Sequence, residues 1–384
     1  MRHENSVFHG IQKHVPWDVF DRLVEKHEAD RRVRRLATKS QFLALLFGQL
    51  AGATSLRDIE AGMASHATQL YHLGAKAPAR STLADANASR PWALFAELFA
   101  HMAHTASRRT RRHLSEAVRI LDATHIRMSA LNADWLKPRH GNRAAKIHLV
   151  YDPAADAPME ITLTDQAIND ITPAKAIEPI PGMTYVFDLA YYDYAWWAKL
   201  DAKGCRIVTR LKTNTQLQVT AENEVAKGSL ILADRIGLLP PRMARSRRNP
   251  MADPVREITV RIAPTKTLRI LTNDLDAPAQ EIADLYKQRW QIELVFKWLK
   301  QNLKIRHFLG TSENAVRIQI FVALIAYILI RMAHATQKAI PKPGPFARLL
   351  RLNIMHKRPI NALRNPPPPP KTDQRQMQFQ GNGF

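Results

Sequence analysis

The sequence holds one cysteine, Cys205, in 384 residues. That excludes an internal disulfide and a Cys-pair metal site, and it suits a reducing cytoplasm. Acidic residues are scarce too: 34 Asp and Glu stand against 56 Lys and Arg, a formal net charge of +22. Such an excess in a long chain calls for a polyanionic partner, and nucleic acid is the first expectation. No Gly-rich phosphate loop is present, so ATP dependence is not expected. His125, His140 and His148 lack a Cys pair or a His-x₃-His spacing, which argues against zinc. Ser81 and Ser129 lack a nucleophile-elbow context. No internal repeat is found. The longest apolar run, "IQIFVALIAYILI" from Ile318 to Ile330, has 13 residues. A membrane span needs about 20, so the run reads as a buried or interfacial helix and no membrane partner is expected. The opening "MRHENSVFHG" has no apolar stretch, and no secretory leader is expected.

What is present is enough for two or three domains, with 46% apolar residues. Residues 1–115 read as helical. "KSQFLALLFGQLAG" ends at Gly52, and "TSLRDIEAGMA" restarts on a capping signal at Thr54/Ser55. This is the outline of a helix-turn-helix, with a plain helical bundle as the alternative. A further helix is expected from Ser81 or Thr82. From Arg119 the pattern turns to short β runs: "RILDATHI", "KIHLVYD", "MEITLT", "TYVFD" and "RIVTRL", with a helical "YYDYAWWAKLDAKG" before the last. Three adjacent strands followed by alternating strand and helix predict an α/β sheet of mixed direction. Residues 213–272 read as a β-rich insertion. Helices follow, and then a Pro/Arg-rich tail whose "NPPPPP" is expected to be polyproline II or disordered. The positive charge is uneven: beyond Glu293 there are fifteen Lys/Arg and two Asp/Glu. Smaller clusters are Arg108–Arg112 and the loop Arg242–Arg248.

The segment "YKQRWQIELVFKWLK", Tyr286 to Lys300, places Glu293 among cations. Read as one helix, Tyr286, Arg289, Glu293, Lys297 and Lys300, with Lys304 beyond, share one stripe within about 60° of arc. Ile292, Val295, Phe296, Leu299 and Leu303 form the burying face. The plain reading is a solvated face with Arg289–Glu293 and Glu293–Lys297 pairs. The sharper reading needs partner carboxylates, and Asp122 and Asp188 supply them. Each directly follows a hydrophobic β run and precedes a segment expected to leave the sheet. Acids so placed often only cap turns. On neighbouring strands, with Glu293 packed across, they would make a three-carboxylate site. Like charges so close raise their own pKa values, which divalent Mg²⁺ or Mn²⁺ would relieve. Asp170 is the reserve acid. Asp152, before Pro153, reads as a turn residue.

Tyr286, Arg289, Glu293 and Lys300 match the Tyr-x₂-Arg-x₃-Glu-x₆-Lys signature of bacterial insertion-sequence transposases of the Asp-Asp-Glu class, insertion-sequence-4 family. "LDATHI" resembles that family's first-Asp block. "VFDLAYYDY" resembles the second, with Asp-Leu-Ala-Tyr where many relatives have Asp-Arg-Gly-Tyr, so that the Asp and Tyr191 are kept. The resemblance covers roughly residues 30–335. It implies a ribonuclease-H-like mixed sheet with a β-rich insertion, preceded by a helical DNA-binding domain. The division would be 1–115, a core of 116–212 and 273–338, the insertion 213–272 and a tail 339–384. It implies two Mg²⁺ or Mn²⁺ ions on Asp122, Asp188 and Glu293, and DNA phosphates on Tyr286, Arg289 and Lys300. The implied partners are terminal inverted repeats and target DNA, with a homodimer in the synaptic complex of a bacterial, nucleoid-associated protein. It also implies cut-and-paste movement through a hairpin intermediate. A ribonuclease-H-like nuclease without strand transfer, and a non-enzymatic DNA-binding protein of the same fold, are the alternatives.

Overall fold

The computed structural model describes residues 5–111, 117–128, 136, 143–242, 248–302 and 308–365. Leu303, Lys304, Ser129, His140, the run Pro366–Pro370, Arg112 and residues 243–247 lie outside them. The first seven helices are α1 (Val7–Gln12), α2 (Trp17–Lys26), α3 (Thr38–Ala51), α4 (Leu56–Ala64), α5 (Ala67–Leu70), α6 (Arg80–Ser89) and α7 (Trp92–Arg111). The strands are β1 (Val118–Met128), β2 (Arg143–Asp152), β3 (Ala157–Asp165), β4 (Thr184–Val186), β5 (Arg206–Arg210), β6 (Gln218–Glu222), β7 (Ile231–Leu238), β8 (Val255–Ala263) and β9 (Lys266–Thr272). The remaining helices are α8 (Ile171–Ala176), α9 (Tyr194–Ala202), α10 (Ala279–Gln288), α11 (Trp290–Asn302), α12 (Glu313–Ala335) and α13 (Pro343–Leu352).

Contacts divide the chain into Pro16–Ile328 and a smaller group, Met1–Val15 with Leu329–Phe384. In the smaller group the amides of Val7 and Phe8 donate to the carbonyls of His356 and Ile354, at 3.0 and 2.8 Å. α13 was not expected in a Pro/Arg-rich tail. Its proline falls in the first turn, where a missing N–H costs nothing.

In the larger group all nine strands form one sheet, in the order β3-β2-β1-β4-β5-β9-β8-β7-β6. β1, β2 and β3 are antiparallel neighbours, while β1, β4 and β5 run parallel. The strands of 213–272 extend the same sheet through the β5–β9 pairing. β4 has three residues, all buried, as befits a central strand covered on both faces.

The N-terminal helices follow from local signals. Gly52 ends α3 at φ 79°, and Ser55 caps α4 in a capping box with Asp58. α3 is buried almost all round. Its Phe42 packs among the rings of Trp17, Phe20 and Phe95. α12 ties these helices to the sheet. Asn314 donates to the carbonyls of Asn87 and Arg90 at 2.8 and 2.7 Å, Phe321 stacks on Trp92, and Trp298 meets Tyr327 edge-on at 4.9 Å. Among the described residues α12 is the one helix long and apolar enough to cross a membrane, and 83% of that apolar window is buried inside the protein. It is a core helix, the buried alternative of the two that its short apolar run left open.

Asp152 is the turn residue its proline implied, accepting from the amides of Ala154 and Ala155 at 3.1 Å. It is also fully buried against Arg119 at 2.8 Å and Ser107 at 2.6 Å. The charge is matched, which is the condition for burying it.

Candidate active site

Asp122 does not end a strand, as had been expected. β1 runs on to Met128, paired with β2 throughout, because Thr124 and Ile126 keep the alternation going. What ends near Asp122 is its parallel neighbour. β4 pairs Ile120 with Val186 and then stops. Asp188 lies two residues beyond Val186, as Asp122 lies two beyond Ile120, and its backbone stays extended at φ −98°, ψ −170°. The two acids therefore stand at the same level of adjacent parallel strands. Phe187, just before Asp188, is locked in an aromatic cluster, with Trp196 at 4.8 Å. Asp188 also does what a strand-end acid commonly does: its Oδ1 accepts the Ala190 amide at 2.8 Å and caps a short 3₁₀ turn, Leu189–Tyr191.

The helix carrying Glu293 is broken, contrary to the single stripe expected. α10 ends at Gln288 and α11 starts at Trp290. At Arg289 the bonds tighten: its amide donates to the Tyr286 carbonyl at 3.1 Å, and the Ile292 amide donates to its own carbonyl at 3.2 Å. The break turns Tyr286 inward, to 8% exposure, and burial pushes its phenol pKa up. The burying face of α11 is as expected: Ile292, Val295, Phe296 and Leu299 are all buried. Trp290 and Leu294, one turn apart, are exposed at 59% and 50%, which their apolar side chains do not announce.

Arg289 reaches into the site. One guanidinium nitrogen is 2.6 Å from Glu293 Oε1 and the other 3.5 Å from Asp122 Oδ2. The i,i+4 pair of the plain reading is thus present, and it also bridges to the sheet. Asp122 is mostly buried, and burial pushes its carboxyl up to about 6; the Ala123 amide and Arg289 oppose this, while Asp188 and Glu293 add to it. Among the described residues, no three His, Cys, Asp or Glu side chains form a ready-made metal cluster. The donor set fits a hard divalent cation in kind: carboxylate oxygens with more negative charge than the site accommodates. Arg289 lies against two of these carboxylates.

Beside these acids lies a cleft of about 420 Å³ lined by Asp122, Thr124, Glu293, Phe296, Lys297 and Lys300. Lys300 Nζ donates to Thr124 Oγ1, joining α11 to β1 across the cleft. Thr124 was passed over in the sequence; only its position two residues after Asp122, on the same strand face, could have flagged it. Thr124→Val should lower DNA cleavage several-fold with the melting temperature unchanged, and Thr124→Ser should restore it. Equal activity in Val and wild type would remove the threonine from the site. A second, apolar cavity of about 460 Å³ lies behind Arg289, lined by Leu230, Ile262, Leu268, Tyr286 and Trp290 among others.

The reserve acid belongs elsewhere. Asp170 pairs with Lys146 at 2.9 Å, near His148 at 3.7 Å. His148 is register partner to Ala123 and Lys146 to His125, so this cluster is on the sheet face opposite Asp122. Burial, first of all, lowers the pKa of His148 to about 4.

The chain is similar in sequence to known proteins. The family described as Transposase DDE domain matches residues 113–329, from before β1 to within α12. The chain belongs to the DDE transposase family. A Sinorhizobium fredii protein named as transposase y4zB is 39% identical over 295 residues, 76% of this transposase and 82% of that protein. A Geobacillus stearothermophilus protein named as the transposase for insertion sequence element IS5377 is 30% identical over 253 residues, 65% of each. A family described only as a domain of unknown function matches residues 3–76. Among solved structures, a piggyBac transposase synaptic complex with hairpin DNA matches with a TM-score of 0.42 and 10% identity, over 99% of this transposase and 86% of that chain.

Proposed function

We propose that this transposase cleaves DNA at the ends of its element and joins the freed 3′ ends to target DNA, with Asp122, Asp188 and Glu293 as ligands of two Mg²⁺ or Mn²⁺ ions. The observation that carries the reading is the shared level of Asp122 and Asp188, with Glu293 tied to Asp122 through Arg289. Bound there, the ions would activate an attacking oxygen and stabilise a leaving one. The protein's own groups do the rest. Arg289 leaves its carboxylates for a phosphate, which it can grip with two bonds, and Lys300 holds another as a point charge over the cleft. Tyr286 supports Arg289 with its ring, 5.9 Å from the guanidinium carbon, as well as by its phenol.

The strand order and directions of β1–β5 support a ribonuclease-H-like core, with 213–272 as the insertion, 1–115 as the DNA-binding helices and 339–384 as the tail. Tyr286, Arg289, Glu293 and Lys300 support membership of the insertion-sequence-4 group. The working form would be a homodimer on paired inverted repeats, at the nucleoid in the cytoplasm. The test is a linear duplex carrying the element's ends, incubated with protein, Mg²⁺ and a target plasmid. Joined products are expected. Cleavage with no joined product would make the protein a nuclease without strand transfer; no cleavage by the intact chain would leave a DNA-binding protein.

Lys300→Ala should cost about tenfold in cleavage, the loss of one charged contact. Lys297→Ala, on the exposed side of the same helix, should cost less. Equal losses in one assay would mean a diffuse basic surface rather than positioned phosphate ligands.

A further inference from the structure

Between α2 and α3 the chain reads "RRVRR", Arg31 to Arg35. Arg31 pairs with Glu28 at 2.6 Å. Arg32, Arg34 and Arg35 are exposed, and among the described residues no carboxylate lies within ion-pair distance of any of them. An unpaired run of charge is usually a solvated, pliant loop. This one is tied down. Asp30 accepts from both the amide and the hydroxyl of Thr38, each at 2.7 Å, which closes the loop at its base and caps α3. Arg90, at the end of α6, donates to the Leu36 carbonyl at 2.8 Å and to Thr38 Oγ1 at 3.1 Å. Leu36 itself is buried. The amides of Arg31 and Val33 donate to the carbonyls of Glu28 and Asp30.

The backbone adds a second point. Arg32 sits at φ 60°, in the left-handed region that favours glycine or asparagine. Among the described residues its side chain has no hydrogen bond or ion pair that would explain the choice. A strained backbone position filled by a long exposed cation, on a loop closed at both ends, is what a fixed array of charges requires. Three like charges held apart on a rigid loop repel one another with no internal partner. A polyanion with regularly spaced charges removes that repulsion, and planar guanidinium groups match phosphate oxygens.

We propose that Arg32, Arg34 and Arg35 form a clamp on the DNA backbone, each holding a phosphate and none reading a base. The proposal rests on the reading of this chain as a DNA-binding transposase. It assigns to the loop the sequence-independent part of the affinity. Phosphate contacts position a protein on the duplex and carry no sequence information. Each neutralised phosphate adds about 0.9 to the slope of log affinity against log salt concentration.

The experiment is fluorescence anisotropy of the full-length protein with two labelled duplexes, one carrying an end of the element and one of random sequence, from low to physiological salt and without divalent metal. Arg32→Gln, Arg34→Gln and Arg35→Gln together should weaken both duplexes by the same factor, roughly tenfold or more, and reduce the salt slope by about 2–3. The corresponding Lys variant should recover most of the slope. If the triple Gln variant melts at a lower temperature, Arg34→Gln alone should still reduce the slope by about 0.9. An unchanged slope in a wild-type background that binds DNA would overturn the clamp alone. Loss confined to the element-end duplex would also overturn it, because the loop would then be reading bases. Failure of the wild-type protein to bind either duplex would overturn the DNA-binding reading together with the clamp.

Discussion

Asp122→Asn is expected to abolish DNA cleavage and, in the absence of metal at pH 8, to make the protein more stable. The two effects have one cause. Burial, helped by Asp188 and Glu293, raises the Asp122 carboxyl from its ordinary 3.8 to about 6. A folded-state pKa above the unfolded one means that the folded protein holds the proton more tightly. Ionisation of Asp122 therefore costs stability as pH rises from about 4 to about 6, and the full cost persists above that. An amide has the shape without the charge and should recover about 2–3 kcal/mol at pH 8. Below pH 4 both proteins carry a neutral group there, and the difference should vanish. If Asp122 ligates metal as proposed, cleavage should fall by at least ~10³-fold, since an amide is a poor substitute for a carboxylate ligand. Thermal melts of both proteins at pH 8 and pH 4, with a cleavage assay at pH 8, decide the matter. A variant that melts below wild type at pH 8, or that still cuts, refutes the assignment.

Arg289→Ala should separate two properties that normally move together. Cleavage should drop by about tenfold to a hundredfold, the loss of a charge-assisted phosphate contact. Mn²⁺ binding to the DNA-free protein should become tighter, because the guanidinium now 2.6 Å from Glu293 and 3.5 Å from Asp122 competes for the same oxygens. An exposed i,i+4 pair on a helix that merely packs would contribute only about 0.3–0.5 kcal/mol, and its removal would leave both properties alone. Titration of the variant with Mn²⁺ by electron paramagnetic resonance reads the metal arm without activity. Wild-type cleavage together with wild-type Mn²⁺ affinity would return Arg289 to a structural role.

Much of this site could be read before any coordinates, and the parts that could not share a reason. Every strand from "RILDATHI" to "RIVTRL" announced itself through alternation or a short β-branched run, because side-chain period is a local property. Asp122, Asp188 and Glu293 stood out because each is an acid where the local pattern wants none. Pairing was not legible. Nothing in Val118–Met128 says that its parallel partner stops after Val186, so Asp122 was taken for a strand end. Nor does the 213–272 segment say that β9 will pair with β5 and continue one sheet. These are contacts between residues far apart in sequence. The break at Arg289 was hidden for another reason: no Gly or Pro marks it, and none of its neighbours is a helix breaker. The helix was therefore drawn straight, and Tyr286 was placed on the open face instead of behind the arginine. Lys300 was located by its spacing, but its bond to Thr124 joins residues 176 positions apart.

The position of Asp122 within β1 sets how the site can accommodate a bound ion. Its backbone is paired with Leu149 and continues in register for six more residues, so it cannot shift without opening the sheet. Asp188 lies just past the last ladder pair of β4, and Glu293 one turn after a helix break. One acid is thus held by ladder pairs on its own strand, while the other two lie outside the ladder, one past a strand end and one on a helix. Hydrogen–deuterium exchange should report this as slow, metal-insensitive amides over Ile120–Thr124 and as amides near Ala190 and Ile292 that slow when metal binds. If ions bind as proposed, Asp122 would be the stationary reference from which Asp188 and Glu293 are positioned.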